Sequence, residues 1–351
     1  IGLGYVGLPL ALELSKFFHV KGFDISKKRI KELKNSVDTT NEISKKSKFA
    51  DRNITFTDNY LECNICNLFI ITVPTPVNKK NEPDLKSLLD ASKMVAKLIK
   101  KKDVVVLEST VYPGVTEEII MPLIEKKSGL KSGRDFNIGY SPERINPGDT
   151  KHNITNIKKV VSANNKKTLN KLVKIYAKII KAGVHKVSSI KVAETSKAIE
   201  NAQRDINIAF VNEVAMISRA MNINSNEVLK AANTKWNFLD FKPGLVGGHC
   251  IGVDPFYLAK AAKLAGHNPE VILAGRKIND QMPDFIYRNV IKKISIKSKI
   301  LILGLTFKEN VKDIRNSKSA QLENFFTNKG YYVDVYDPLA DKKQALIEYG
   351  I

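Results

Sequence analysis

Short apolar runs rich in β-branched residues fall at 1–3, 20–23, 54–57, 68–73, 104–107, 136–140 and 160–162, and segments of helical spacing separate them up to about residue 185. That alternation predicts a parallel sheet wrapped by helices, because a parallel neighbour is reached through a crossover that is usually helical. From 190 to 221 neither Pro nor Gly breaks the pattern, which predicts one long helix. Shorter helical pieces follow, interrupted by the loop Lys242-Pro243-Gly244-Leu245-Val246-Gly247-Gly248-His249-Cys250. From Lys299 the pattern returns to a strand ending at Gly304, a helix around 319–327 and a strand at 332–336. Two strands and a helix cannot cover both faces of a sheet, and the chain opens at Ile1 directly into a glycine turn, so further sequence is expected at both ends.

The opening Gly2-Leu3-Gly4-Tyr5-Val6-Gly7 fits GxGxxG between an apolar run and a helical one. Such glycines let the backbone approach a pyrophosphate at a helix N-terminus, whose amides and dipole attract negative charge. Alone the spacing is a weak signal. It gains strength from Asp24, which ends the next strand twenty-two residues after the first glycine and is placed to bind both adenosine ribose hydroxyls. A carboxylate there repels a 2′-phosphate and so favours NAD over NADP, while Lys27, Lys28 and Arg29 pull the other way. The expected fold is therefore α/β: an N-terminal Rossmann-like doubly wound parallel sheet (1–188), a central helical domain with one long helix (189–295), and an incomplete C-terminal Rossmann-like domain (296–351). Three more loops lie at carboxyl ends of predicted strands: Thr72-Val73-Pro74-Thr75-Pro76, Glu108-Ser109-Thr110-Val111-Tyr112-Pro113-Gly114 and Ser141-Pro142-Glu143-Arg144. Ligands of open α/β sheets bind along that edge, so these loops should converge with the glycine turn.

Chemistry concentrates elsewhere too. Cys250 is flanked by Gly247, Gly248 and Gly252, which would leave its thiol accessible, and Asp254 follows at i+4, able to share a helical face with it. A thiol adds to aldehydes and can hold an intermediate between two oxidations. His249 offers an activator of the thiol or a structural or substrate-contacting group. Lys197 and Asn201 stand at i, i+4 on the long helix, suited to hold a substrate oxygen or to form a solvated surface. Glu143 and Thr110 are further polar candidates, Glu143 as a general base in a dehydrating crevice. Cys63 and Cys66 form a lone CxxC pair without a second pair or nearby histidines, so no metal site is expected.

Composition narrows the partners. The formal charge of +21 invites a nucleic-acid reading, but the lysines are dispersed in short runs and no basic stripe with interleaved aromatics appears. The charge serves better to draw in phosphate-bearing substrates. Only three cysteines occur, which suits a reducing compartment. The sequence has neither an apolar run of membrane-spanning length nor a signal peptide's start, so no membrane partner and, by default, a cytoplasmic place are expected.

Taken in order, Gly-x-Gly-Tyr-Val-Gly, Val-Pro-Thr-Pro, Glu-Ser-Thr-Val-Tyr-Pro-Gly, Tyr-Ser-Pro-Glu-Arg-Ile-Asn-Pro-Gly and the stretch from Lys235 to Pro255 resemble the UDP-glucose/GDP-mannose dehydrogenase family over the whole chain. They are nearest to the bacterial UDP-N-acetylglucosamine or UDP-N-acetylgalactosamine 6-dehydrogenases of capsule and O-antigen synthesis. Val253 stands where the UDP-glucose branch commonly has Lys, so that cofactor contact does not carry over. The resemblance implies oxidation of a sugar C6 hydroxyl to a carboxylate with two NAD and a water. A base near Thr110, Lys197 and Asp254 takes the hydroxyl proton, Cys250 adds to the aldehyde, Lys197 and Asn201 stabilise the charged oxygen, and Glu143 assists hydrolysis of the thioester. It further implies cofactor contacts from Gly2, Gly4, Tyr5, Val6, Gly7, Asp24, Arg29, Pro74, Thr75, Ser109, Thr110 and Arg315, and substrate contacts from Glu143, Arg144, Lys197, Asn201, Phe241, Gly247 and Lys308. Family members are usually dimers through the long helix, so a homodimer or higher homo-oligomer is expected. UDP-glucose and UDP-ManNAc 6-dehydrogenases are the alternatives. A 3-hydroxyacid dehydrogenase would need no thiol, and a non-enzymatic binding protein would need none of the reacting residues.

Overall fold

A computed structural model describes residues 1–40, 49, 53–78, 82–145, 153–248 and 251–351. The chain divides into two compact units, Ile1–Ala198 and Ile199–Ile351, with the division inside the longest helix.

The first unit runs α1 (Gly7–Leu14), β1 (Val20–Phe23), α2 (Lys27–Lys34), β2 (Ile54–Thr57), β3 (Leu68–Ile71), α3 (Lys86–Leu98), β4 (Val104–Leu107), α4 (Met121–Ser128), β5 (Asn137–Tyr140), β6 (Lys159–Ala163), α5 (Lys166–Tyr176) and β7 (Val184–Lys186). Strands β3 to β7 form one five-stranded sheet in sequence order, and β1 pairs with β2. Residues 1–3 are too short to form a ladder but join the two sheets: the Ile1 ammonium donates to Ile70 O, Thr72 N–H to Ile1 O and Gly2 N–H to Phe23 O. All four residues of β4 are buried, as a central strand covered on both faces requires. The pleat sends Val105 and Leu107 into one core with Leu88, Val95 and Ile124 of α3 and α4. Val104 and Val106 enter a second core with Leu10 and Leu14 of α1 and Leu172 and Tyr176 of α5. Helices therefore cover both faces.

One feature departs from the expected all-parallel sheet. Strand β6 runs antiparallel to β5, with Gly139 opposite Ala163 and Tyr140 opposite Ser162. No helix stands between them among the described residues, and an antiparallel neighbour needs no crossover. Strand β7 escapes the apolar pattern because it is Val-His-Lys, with its last two residues exposed.

The second unit holds most of α6 (Ile190–Ala220), then α7 (Ser225–Ala232), α8 (Asp254–Leu264), α9 (Glu270–Ile291), β8 (Lys299–Leu303), α10 (Lys318–Thr327), β9 (Tyr332–Tyr336) and α11 (Lys342–Tyr349). Strands β8 and β9 pair in parallel along their whole length. Helix α9 meets α10 through Tyr287, stacked on Phe325 and edge-on to Phe326. Among the described residues no helix is long and apolar enough to cross a membrane.

Candidate active site

In the first unit the glycine turn is shaped by what it must avoid. A Cβ on Gly7 would lie 1.9 Å from Gly2 O and 2.5 Å from Thr72 Oγ1, and Gly2 adopts φ 89°. Both positions are closed to side chains by the chain itself. At Gly4 the situation differs: a Cβ there would meet nothing within 4 Å. Tyr5 and Val6, half-buried, complete the turn into α1. Asp24, just past β1, accepts Leu3 N–H on Oδ2 (2.8 Å) and Ser26 N–H on Oδ1 (2.9 Å), which leaves lone pairs for further donors.

Arg29 does not stand at the cofactor edge as expected. It is 9% exposed and turned inward, donating from Nε to Leu3 O (2.9 Å), from Nη1 to Thr39 and from Nη2 to the buried Asp38 carboxylate (2.9 Å). It braces the glycine turn against α2. Burial works against the charge on Asp38, yet the Thr40 and Arg29 hydrogen bonds hold its pKa below the ordinary value.

The strand-end loops converge as expected. Thr72 Oγ1 donates to Gly2 O (2.7 Å), Ser109 Oγ to Val73 O (2.6 Å) and Thr75 Oγ1 to Thr110 O (2.6 Å), so the glycine turn and both neighbouring loops are hydrogen-bonded to one another. Pro74 is exposed and Thr110 half-buried between them. In the third loop, Glu143 is 8% exposed and its Oε1 accepts the N–H groups of Arg144 and Ile145. The Arg144 guanidinium turns to Lys158 O (2.9 Å).

Behind these loops lies a charge cluster with no sequence forecast. Lys159 Nζ donates to Glu108 Oε2 (2.5 Å) and Pro142 O (3.2 Å) and sits 3.8 Å from Glu143 Oε2, while Tyr176 O–H donates to Glu108 Oε1. Burial, offset in part by Lys159, pushes the Glu108 carboxyl above its ordinary range, and burial together with Glu108 drives the Tyr176 phenol well up. Glu194 of α6, fully buried, accepts Gly114 N–H (2.6 Å) and Thr116 N–H (2.9 Å), and burial raises its pKa too. Lys197, three residues on, is 8% exposed, so it is no solvated surface lysine.

A cavity of about 1040 Å³ lies along Ile1, α1, the facing edges of β1 and β3, and α5, but apart from Gly7 it touches none of the expected site residues. Cys63 and Cys66 are both free, and burial pushes the Cys63 thiol up to about 11. No group of three or more His, Cys, Asp or Glu suited to a metal occurs among the described residues.

In the second unit Asn201 Nδ2 donates to Asp254 Oδ2 at 2.5 Å, and Asp254 is 2% exposed. Asp254 is the first residue of α8 and follows a turn at 251–253, and the helical face expected to join it to position 250 lies outside the described residues. His249 and Cys250 themselves lie outside the described residues. The glycines before them answer to the protein's own packing: a Cβ on Gly247 would stand 2.6 Å from Asn316 O, and one on Gly248 (φ 82°) 2.5 Å from the Phe307 ring. Substrate access is therefore not needed to explain them. Asn316 also donates to Gly248 O (3.0 Å), and Asn212 bonds both the N–H and the C=O of Gly244. Asn212 is held by Asn279, Asn279 by Asp205, and Asp205 by Arg276 at 2.5 Å, all of them buried. Phe241 and Lys308 are half-buried, and Arg315 grips Asp313 through Nε (2.9 Å) and Nη2 (2.5 Å).

Residues 1–180, 191–281 and 301–351 match, respectively, the NAD binding, central and UDP binding domains of the UDP-glucose/GDP-mannose dehydrogenase family. Protein CapL of Staphylococcus aureus is 52% identical over 100% of this chain and 84% of its own length. A UDP-N-acetyl-D-glucosamine 6-dehydrogenase of Pseudomonas aeruginosa is 48% identical over 100% of this chain and 85% of its own. Among solved structures, the UDP-D-ManNAc dehydrogenase from Pyrococcus horikoshii superposes with a TM-score of 0.88 at 31% identity, covering 97% of this chain and 83% of that one.

Proposed function

Because this chain belongs to the UDP-glucose/GDP-mannose dehydrogenase family, we propose that it oxidises the C6 hydroxyl of a UDP-N-acetylhexosamine, UDP-N-acetylglucosamine foremost, to the uronic acid used in surface polysaccharide synthesis. The observation that carries the reading is the Asn201–Asp254 pair: a buried carboxylate at a helix start, four residues after Cys250 in sequence and bonded by an amide fifty-three residues away. The sugar is argued from relatives about half identical to this chain over its full length.

The turn fits a dinucleotide: Gly2 and Gly7 hold its shape, Gly4 exposes backbone for a pyrophosphate, and Asp24 keeps acceptor capacity for ribose hydroxyls. Tyr5, Val6, Pro74, Thr75, Ser109 and Thr110 line the approach, whereas Arg29 acts as a brace. Bound there, NAD would supply the two-electron oxidant for each of two oxidations, and water the second carboxyl oxygen. The chain's own residues do the rest. Thr110, Lys197 and Asp254 hold the base that takes the hydroxyl proton. The Cys250 thiolate adds to the aldehyde carbon, forming a C–S bond, and Lys197 and Asn201 donate to the oxygen that becomes negative. After the second oxidation water attacks the thioester, Glu143 takes its proton, and the thiolate leaves. Arg144, Phe241, Gly247 and Lys308 contact the nucleotide sugar.

The chain assembles as a homodimer or larger homo-oligomer through α6, on which Ile199, Phe210 and Ile217 are 50%, 56% and 52% exposed at spacings that share one helical face. A panel of UDP-sugars followed by NADH formation tests the substrate. UDP-N-acetylglucosamine should give the highest kcat/KM, and preference for UDP-glucose or UDP-ManNAc would replace it.

A further inference from the structure

The buried cluster behind Glu143 has no part in the reaction as written. A buried cluster of this kind is weak evidence for fold stability, since replacing buried ion pairs with packed apolar side chains is often neutral or stabilising. Glu108 is engaged on both oxygens, by Tyr176 on one and Lys159 on the other. Lys159, 4% exposed, is thereby fixed, and it also ties down Pro142 O, the carbonyl just before Glu143. Glu143 has one oxygen locked by two backbone N–H groups. Its other oxygen, Oε2, is buried without a hydrogen bond, 3.8 Å from the Lys159 ammonium. A carboxylate with one oxygen held and the other still without a hydrogen-bond donor keeps acceptor capacity for one proton.

We infer that Lys159, anchored by Glu108 and Tyr176, is a positioning residue that holds the Ser141-Pro142-Glu143 turn so that Glu143 Oε2 receives the proton of the water attacking the thioester. The inference rests on the reading of Glu143 as the base of the hydrolytic step. In that step the water oxygen bonds to the thioester carbon, the proton passes to Oε2, the C–S bond breaks and the Cys250 thiolate leaves.

The test uses the full-length enzyme with NAD and UDP-N-acetylglucosamine. Lys159→Met should retain the initial NADH burst while acid release slows about a hundredfold, the scale of a lost general-base contribution, and intact mass should show the acyl adduct accumulating on Cys250. Lys159→Arg, which restores the cation, should recover much of the release rate. If Lys159→Met is insoluble, Lys159→Gln, which keeps a polar head without the charge, carries the same expectation. Acid release at the wild-type rate from the soluble uncharged variant, with no adduct, overturns the inference. Glu143→Gln separates the two ideas: adduct accumulation there but not in the Lys159 variant sinks the inference alone, and no adduct in Glu143→Gln sinks the reading beneath it.

Discussion

Gly2 and Gly304 occupy corresponding places in two separate turns. Each adopts left-handed φ (89° and 100°), and each donates its N–H to the last residue of the adjoining strand, Gly2 to Phe23 O and Gly304 to Tyr336 O. Each turn faces an aspartate immediately past that strand, Asp24 and Asp337. There the likeness stops. Asp337 accepts from Leu305 N–H, Thr306 N–H and Thr306 Oγ1 on one oxygen, and from Leu339 and Ala340 N–H on the other. Among the described residues Asp24 accepts only from Leu3 and Ser26 N–H. Two and five residues beyond Gly2 come Gly4 and Gly7, whereas two and five residues beyond Gly304 come Thr306 and Glu309. The same strand-turn device is thus finished in two ways: one carboxylate is used up in pinning its own loop, and the other keeps capacity for a ligand.

The largest expected break in this comparison is at the glycines. Gly7→Ala forces a Cβ to 1.9 Å from Gly2 O, and overpacking of this kind costs about 3 kcal/mol, so NAD affinity measured by calorimetry should fall roughly a hundredfold. Gly304→Ala meets open space. It should cost only the left-handed strain of about 1–2 kcal/mol in stability and leave NAD affinity unchanged.

Next comes Asp337. Burial alone would raise its pKa, but the N–H groups of Thr306, Leu305 and Leu339 hold it at about 2, against an ordinary 3.8. A depressed folded-state pKa means that the unfolded chain binds more protons in that window, so this stabilisation is present above pH 3.8 and is lost as pH falls towards 2. Asp337→Asn should lower stability by about 1 kcal/mol at neutral pH, because solvent screens the charge and Asn keeps one acceptor oxygen, and denaturant titrations should show the gap from wild type closing as the pH is lowered through that window.

The smallest effect should come from Asp24. Arg29 is engaged on Asp38 and Leu3, while Lys27 and Lys28, three and four residues after Asp24, are exposed. Asp24→Ala should weaken NAD about tenfold, the loss of one or two hydrogen bonds to a charged group. It should relax discrimination against NADP without reversing it, and its melting temperature should move less than that of Asp337→Asn.

Much of this architecture was legible where local pattern decides structure. The apolar runs at 20–23, 54–57 and 104–107 became β1, β2 and β4 residue for residue, and the predicted long helix ended one residue early. The antiparallel β6 was not legible, because an apolar strand carries no mark of its direction. Lys159 was hidden for a similar reason: nothing local separates a buried lysine from the many exposed ones, and its partner Glu108 lies fifty-one residues away. The Asp205–Arg276 pair behind Gly244 spans seventy-one residues. Gly247 and Gly248 were noticed, but for the access they give to a thiol rather than for the Asn316 and Phe307 groups that forbid a side chain there.

The account stands or falls on two successive oxidations at one carbon through Cys250. Full-length enzyme with limiting UDP-N-acetylglucosamine and excess NAD should yield two NADH and one uronic acid per sugar consumed, with net acid formation lost in Cys250→Ala. One NADH per sugar with the aldehyde as the released product, or acid formed at the wild-type rate by Cys250→Ala, would contradict it.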